Sequence, residues 1–407
     1  MRAGAARLDI TPEQDAALPM SGYAARTEGH QGIHDNLYMR AVVLNDGITQ
    51  AALLSADLID FSHAFYSKTS QRISQETGVP SENILIIATH THAAPALGTY
   101  EAIATNARRA AYLKRIEDGM IELIRQAQGR IQPARIGCGS GRANVNVNRR
   151  ALMADGSWWL GINPDGPSDK TLAVIKVETT AGEPIAILLN YGVHGTGMGK
   201  ENYQISGDVP GAASRWVEQH FGDKVVVPWI SGAGGDQCPI YDRVPSKFDG
   251  VMAVGRILGE EVVRVAERIT MSPNAVIGAA QKVVSCPGRK LTSAPGIRKH
   301  HEFVDAEPVD IRLSLIRIND ITLAGISGEV FTLVSQRVKR ESPSRNTVVI
   351  AHCNGSSGYL PEDVAYGQLS YEVQVSRVKS GCGENAIVNG LLELIESTGK
   401  ISAARQE

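Results

Sequence analysis

Ile84-Leu85-Ile86-Ile87-Ala88-Thr89-His90-Thr91-His92 runs an apolar stretch straight into two imidazoles spaced two residues apart. The apolar run, rich in β-branched isoleucine, reads as a strand that ends where a sheet opens into a loop. In α/β folds that end of a strand is where chemistry is kept. Residues two apart in a strand project on the same face, so His90 and His92 are expected to look into one cavity. One imidazole is then free to bind a metal while the other serves a substrate. The competing reading is a pair of loop histidines satisfied by hydrogen bonds, and the remainder of the chain has to decide between them.

Working outward, strand-like runs occur at 38–44, 50–57, 83–89, 135–139, 171–177, 185–191 and 224–230, each bounded by turn formers. Amphipathic periodicity predicts helices over 63–76, 101–130, 210–220 and 248–269, the last with Val251, Val254, Ile257, Leu258 and Val262 on one stripe. A second strand group covers 276–284, 309–318 and 322–326. A helix over 330–340, a strand at 347–351, a Gly-rich loop and a helix over 385–397 follow. Interleaved strands and helices predict an α/β layered fold with a mixed central β-sheet flanked by helices, and no linker divides residues 1–407, which read as a single domain. The polar interlude Pro287–Pro308 is expected to be a mobile loop, with a lid over the site as the second reading. That interlude and the Trp158–Asp169 loop are expected to shape the pocket.

Composition narrows the class. Forty-one basic residues against forty-three acidic ones give a formal net charge of −2, which offers no broad attraction to nucleic acid or anionic membranes. No apolar run is long enough to span a bilayer, and the N-terminus shows no secretory pattern. A cytoplasmic address is the resulting expectation. The five cysteines, Cys138, Cys238, Cys286, Cys353 and Cys382, are odd in number and scattered, so free thiols in a reducing compartment are expected.

Three further strand ends carry reactive side chains. His194 follows the run 185–193 between glycines, Glu329 closes 323–327, and Asn354-Gly355-Ser356-Ser357-Gly358-Tyr359 follows 348–351. Two neutral imidazoles, a carboxylate and an open water position form a common catalytic zinc arrangement. Unrelated loop residues are the alternative. Ser231-Gly232-Ala233-Gly234-Gly235-Asp236-Gln237-Cys238-Pro239 lacks the Lys-Ser/Thr of a phosphate loop, and its glycines serve a tight turn presenting Cys238, either a nucleophile or an inert buried thiol.

Taken together, these segments resemble the neutral ceramidase family, specifically its N-terminal catalytic domain. The resemblance is carried by Asp9-Ile10-Thr11-Pro12, Met20-Ser21-Gly22-Tyr23, Gly32-Ile33-His34, Asp57, Ala88-Thr89-His90-Thr91-His92, Asn148-Arg149, Val193-His194, Gly235-Asp236-Gln237-Cys238-Pro239, Gly328-Glu329, Tyr359 and Tyr371. It implies a zinc amidase in which His90, His194, Glu329 and Tyr359 bind the metal while His92, Arg149 and Tyr371 surround the scissile carbonyl. Cys238 stands where the family has a serine, so a covalent route through the thiol and a water route through zinc are both open, the water route being preferred.

The resemblance also implies a C-terminal immunoglobulin-like domain, for which these 407 residues leave no room. Aromatic residues are only 5% of the chain, and a small linear or cyclic amide is expected as substrate rather than ceramide. The expected partner is therefore a small-molecule amide, with neither nucleic acid nor membrane, and a homo-oligomer is left open. Two rival readings are kept: an ester or lactone hydrolase, with Cys238 as covalent nucleophile, and a non-catalytic zinc-containing binding protein.

Overall fold

The run 84–88 is buried on both sides. Ile84, Ile86 and Ala88 face one apolar core and Leu85 and Ile87 face another. A strand wetted on neither face has to be uniformly apolar. The computed structural model, which describes residues 1–98, 106–240, 247–298 and 300–404, places this strand at the edge of a seven-stranded sheet.

That sheet comprises β1 (Arg2–Asp9), β2 (Tyr38–Asn45), β3 (Gln50–Ala56), β4 (Ile84–Ala88), β5 (Gln132–Arg142), β8 (Thr171–Thr179) and β9 (Pro184–Asn190). Its order is β9-β8-β5-β1-β2-β3-β4. All neighbours are antiparallel except β3 and β4, whose parallel pairing requires a crossover. Helix α1 (His63–Thr77) supplies it, started by Ser62 Oγ accepting from the Phe65 amide and ended by Gly78 at φ 76°. Between β5 and β8 a hairpin of β6 (Asn146–Leu152) and β7 (Trp158–Asn163) leaves the sheet and pairs with Gln237–Pro239.

One face of this sheet is covered by α1, α2 (Ala107–Gly129), α3 (Asp208–His220) and α4 (Lys247–Ala266). The other face packs on a second mixed sheet of β10 (Ile277–Leu291), β11 (Phe303–Ile318), β12 (Ile321–Ile326) and β13 (Asn346–Ile350). Beyond it lie α5 (Thr332–Glu341) and α7 (Gly383–Ala404), with the one-turn α6 (Tyr371–Val375) at the end of the layer. The α/β layered class stands as expected, with two stacked mixed sheets in place of one.

Three local expectations change. Residues 224–230 touch β9 only through bridges at Val226 and Trp229, because Pro228 has no amide hydrogen with which to continue a ladder. Half of Pro287–Pro308 is paired strand, since β10 continues to Leu291 and β11 begins at Phe303. It reads as polar because it projects past the core. Likewise, Trp158–Asn163 is a strand and not a loop. Of the helix expected over 101–130, residues 101–105 lie outside the described residues and the remainder is α2.

The cysteine expectation fails for two of the five. Cys286 on β10 and Cys382 just before α7 form a disulfide across 96 positions; linear scatter conceals proximity that the fold creates. A disulfide persists in oxidising surroundings, so the thiol argument for a cytoplasmic address no longer holds. Cys138, Cys238 and Cys353 remain thiols. Among the described residues no helix is long and apolar enough to cross a membrane.

Closing so long a loop restricts the unfolded chain. Replacing Cys286 and Cys382 by serine should lower the unfolding free energy by roughly 2–4 kcal/mol, read from denaturant midpoints under non-reducing conditions. An unchanged midpoint would count against the cross-link.

Candidate metal and catalytic centre

Chain geometry after β4 differs from simple strand continuation. His90 adopts φ 63°, a left-handed conformation uncommon outside glycine, and its amide donates to the Leu58 carbonyl. His92 is tied by its amide to the Gly195 carbonyl. The two imidazoles nonetheless meet, with their Nε2 atoms 3.2 Å apart. Gly195 permits this approach, since a Cβ there would fall 2.6 Å from the His90 carbonyl oxygen.

His194 arrives from the loop after β9, its amide bonded to the Gln237 carbonyl. Glu329 and Tyr359 come from the second sheet's end, where Glu329–Val330 and Tyr359–Leu360 form a short parallel ladder with Glu329 opposite Tyr359. Glu329 Oε2 lies 3.1 Å from His194 Nε2 and 3.3 Å from His90 Nε2. The ligand atoms of His90, His92 and His194 all fall within 4.8 Å of one another.

The chemistry of these donors fits a divalent cation. His90 Nδ1 donates to the Ile59 carbonyl at 2.8 Å, and His194 Nδ1 donates to the Gly234 carbonyl at 2.5 Å. With Nδ1 of each ring given to a carbonyl, Nε2 faces the Glu329 carboxylate, and in the neutral form of the ring that atom carries a lone pair, as the carboxylate does. Burial, aided by the Arg149 charge, pushes His194 down to about 3. Burial by itself would raise the Glu329 carboxyl, yet positive charge placed at the adjoining His90 and His194 nitrogens pulls it well below the ordinary carboxylate range, as a cation between them would. Acceptors facing one another need a positive centre between them. A tetrahedron with bonds of about 2.0–2.1 Å has edges of about 3.3–3.4 Å, close to the two separations seen.

A positive wall stands beside this cluster. Arg149 on β6 donates from Nη2 to Tyr359 Oη at 2.9 Å and from Nε to Glu372 Oε1 at 2.6 Å. Ser370 Oγ donates to the other oxygen of Glu372 at 2.9 Å. The guanidinium is thus held in one orientation as a permanent cation. Burial pushes the Tyr359 phenol well above its usual value; with Arg149 occupying a lone pair, its hydroxyl proton is available for another acceptor. Tyr371 packs edge-on against Tyr359, centroids 6.3 Å apart, and against Trp159 at 5.7 Å.

Cys238 is buried opposite Val147 in the Gln237–Pro239 pairing with β6. Alternation along β6 puts it on the same face as Arg149. All eight side chains singled out from the sequence therefore come from distant segments into one region.

Sequence reasoning missed four neighbours. Glu372 is fully buried against Arg149, and the acidic residue beside Tyr371 was its only trace. His352 stacks on His90, with ring centroids 3.8 Å apart, and the strand-end logic applied to Asn354 would have found it. Trp159 lies in a stretch that reads as loop and is strand. Asp60 carries no local motif.

Residues 1–239 match the family model described as neutral/alkaline non-lysosomal ceramidase, N-terminal. Those residues include His90, His92, Arg149, His194 and Cys238, whereas Glu329, Tyr359 and Tyr371 lie beyond them. The chain is 30% identical over 258 residues to neutral ceramidase A of Dictyostelium discoideum, covering 58% of this chain and 35% of that protein. It is 31% identical over 270 residues to the neutral ceramidase of Pseudomonas aeruginosa, covering 62% and 40%. The chain thus spans well under half the length of these relatives. A crystal structure of the Pseudomonas aeruginosa neutral ceramidase superposes with a TM-score of 0.82 over 98% of this chain and 74% of that one, at 19% identity; the fold is shared.

Removing the buried partner of Arg149 should be costly. Glu372→Ala should lose about 3–5 kcal/mol of stability, since it strands a desolvated cation, as measured by urea denaturation. A loss below 1 kcal/mol, about what an exposed pair contributes, would show that Glu372 does not hold the guanidinium.

Proposed function

Because the chain belongs to the neutral/alkaline non-lysosomal ceramidase family, we propose that it is a zinc-dependent hydrolase of a non-peptide amide bond. The observation that carries this reading is the convergence of Glu329 Oε2 with the Nε2 atoms of His90 and His194. His90, His194 and Glu329 would hold the ion, with Tyr359 as the fourth, looser ligand. When bound, zinc polarises a carbonyl and brings the pKa of its water to about 7.

The protein's own groups do the rest. Arg149, locked by Glu372, presents a fixed positive charge where an oxyanion develops, at no reorganisation cost. Tyr371 adds a phenolic donor next to it. His92, against His90, is placed to carry a proton between the attacking group and the departing nitrogen. Trp159 closes the side behind Tyr371.

The substrate we infer is a small amide. Aromatic residues are only 5% of the chain, whereas docking on lipid draws on exposed aromatic and apolar side chains. Ceramide, named for the relatives, is the comparison that tests this.

A covalent route through Cys238 is the second reading, supported by its burial on the Arg149 face. It would extend the activity to esters and lactones.

Two experiments decide. His194→Ala and Glu329→Gln should each lose stoichiometric zinc by elemental analysis, and chelation should abolish hydrolysis across a panel of N-acyl amides, ceramide and matched esters. Full turnover after chelation would refute the metal assignment. Cys238→Ala should keep hydrolysis within about tenfold if water attacks, whereas loss of about a thousandfold or more, in the range of removing a catalytic nucleophile, would establish the thiol route. Stoichiometric zinc with no turnover on any substrate would leave a binding protein.

A further inference from the structure

Behind Arg149 the polar contacts continue into the core. Ser370 Oγ, which donates to Glu372 Oε2, accepts from Arg150 Nε at 3.0 Å. Arg150 follows Arg149 on β6 and so leaves the opposite face of that strand. It is buried with its guanidinium 5.1 Å from the Phe331 ring centroid, and its Nη2 donates to Gln368 Oε1 at 2.5 Å. Its Nη1 reaches Glu362 Oε1 at 3.4 Å. Two buried cations and two buried carboxylates therefore alternate in the order Arg149, Glu372, Arg150, Glu362, with the Ser370 hydroxyl as the joint in the middle.

The two carboxylates differ. Glu372 has a donor on each oxygen, whereas Glu362 Oε2 is buried with no hydrogen-bond partner among the described residues. Facing Glu362 are Arg150 from β6, Asp236 just before the Gln237–Pro239 strand, Glu384 at the start of α7 and the Tyr366 phenol. Asp236 is bonded to Thr332 and Asn148, Glu384 to Arg337 and the Asp363 amide, and Tyr366 to the Val378 carbonyl. That leaves Arg150 to respond to a charge on Glu362. A carboxylate with one bare oxygen in the core is costly to ionise, and burial, with Asp236 alongside, pushes Glu362 up to about 7. A guanidinium is planar and rigid, so a pull on Nη1 is felt at Nε and hence at Ser370.

We infer that Arg150 is a positioning residue for Arg149, acting through Ser370 and Glu372, and that gain or loss of a proton at Glu362 adjusts its hold. With Glu362 ionised, Arg150 is anchored at both ends and Arg149 is held firmly; with Glu362 neutral, the outer anchor weakens. The consequence for catalysis rests on the amidase reading, in which Arg149 meets the developing oxyanion.

Zinc-bound water titrates in the same range, so turnover against pH would not separate the two. The test is the Nε–H resonance of Arg149 in proton–nitrogen correlation spectra of the full-length, zinc-supplemented protein, identified by its loss in Arg149→Lys and followed from about pH 5 to about pH 9. It should shift with a midpoint at about 7. Glu362→Gln and Ser370→Ala should each remove that component, and Ser370→Thr, which keeps the hydroxyl, should restore it. At saturating amide, Ser370→Ala should lower kcat about tenfold with KM within about twofold, and Ser370→Thr should recover the rate.

A resonance that does not shift, or that shifts identically in wild-type, Glu362→Gln and Ser370→Ala protein, would overturn the inference, as would a kcat unchanged by Ser370→Ala. If Glu362→Gln fails to fold, Ser370→Ala reads the same coupling from the other end. Coupling without hydrolysis of any amide would remove the amidase reading and leave the relay; hydrolysis without coupling would remove the relay alone.

Discussion

The centre exists because two sheets are pressed face to face. His90, His92 and His194 hang from the ends of β4 and β9, while Glu329 and Tyr359 hang from the end of the second sheet, and the apolar layer between the sheets sets their separation. Leu85, Ile87 and Leu188 on one side meet Ile316, Leu323 and Val348 on the other. Apolar packing is non-directional, so it cannot by itself choose the offset of one sheet on the next. Polar staples do so. Asn354 Oδ1 accepts from the Ile86 amide at 2.7 Å, and its Nδ2 donates to the Ile84 carbonyl. Asn190 Nδ2 donates to the Val349 carbonyl at 3.1 Å. These asparagines are buried with their amides satisfied, and a slip of one sheet would strand them.

Polar satisfaction organises the site as well. Carbonyls of Ile59 and Gly234 claim one nitrogen of each candidate ligand ring and thereby point the other inward. Glu372 plays the same part for Arg149. Each reactive group is oriented by a neighbour that does no chemistry, so its geometry comes from the protein fold and not from the substrate.

Much of this was legible because strands and helices write their periods locally. The run 84–88, the stripe Val251, Val254, Leu258 and Val262, and reactive residues at strand ends needed no partner to be recognised. What escaped depends on pairing between distant segments. The stacking of two sheets, the Cys286–Cys382 link, and the extension of β10 and β11 beyond the core leave no mark in any single window. Alternation placed His90 and His92 together for an incorrect reason: the chain turns left-handed at His90, and the convergence comes from Gly195 and the Leu58 carbonyl. Glu372, Asp60 and His352 were hidden because their meaning lies in what they touch.

The Glu329–Tyr359 ladder has a consequence for when the protein becomes competent. It places the carboxylate and the phenol a hundred or more residues downstream of the imidazoles, on a different sheet. A partly docked chain holds histidines with no acid beside them and cannot form the full donor set. The full donor set therefore assembles only when the second sheet has docked on the first, which ties the geometry of the centre to the packing of the whole molecule.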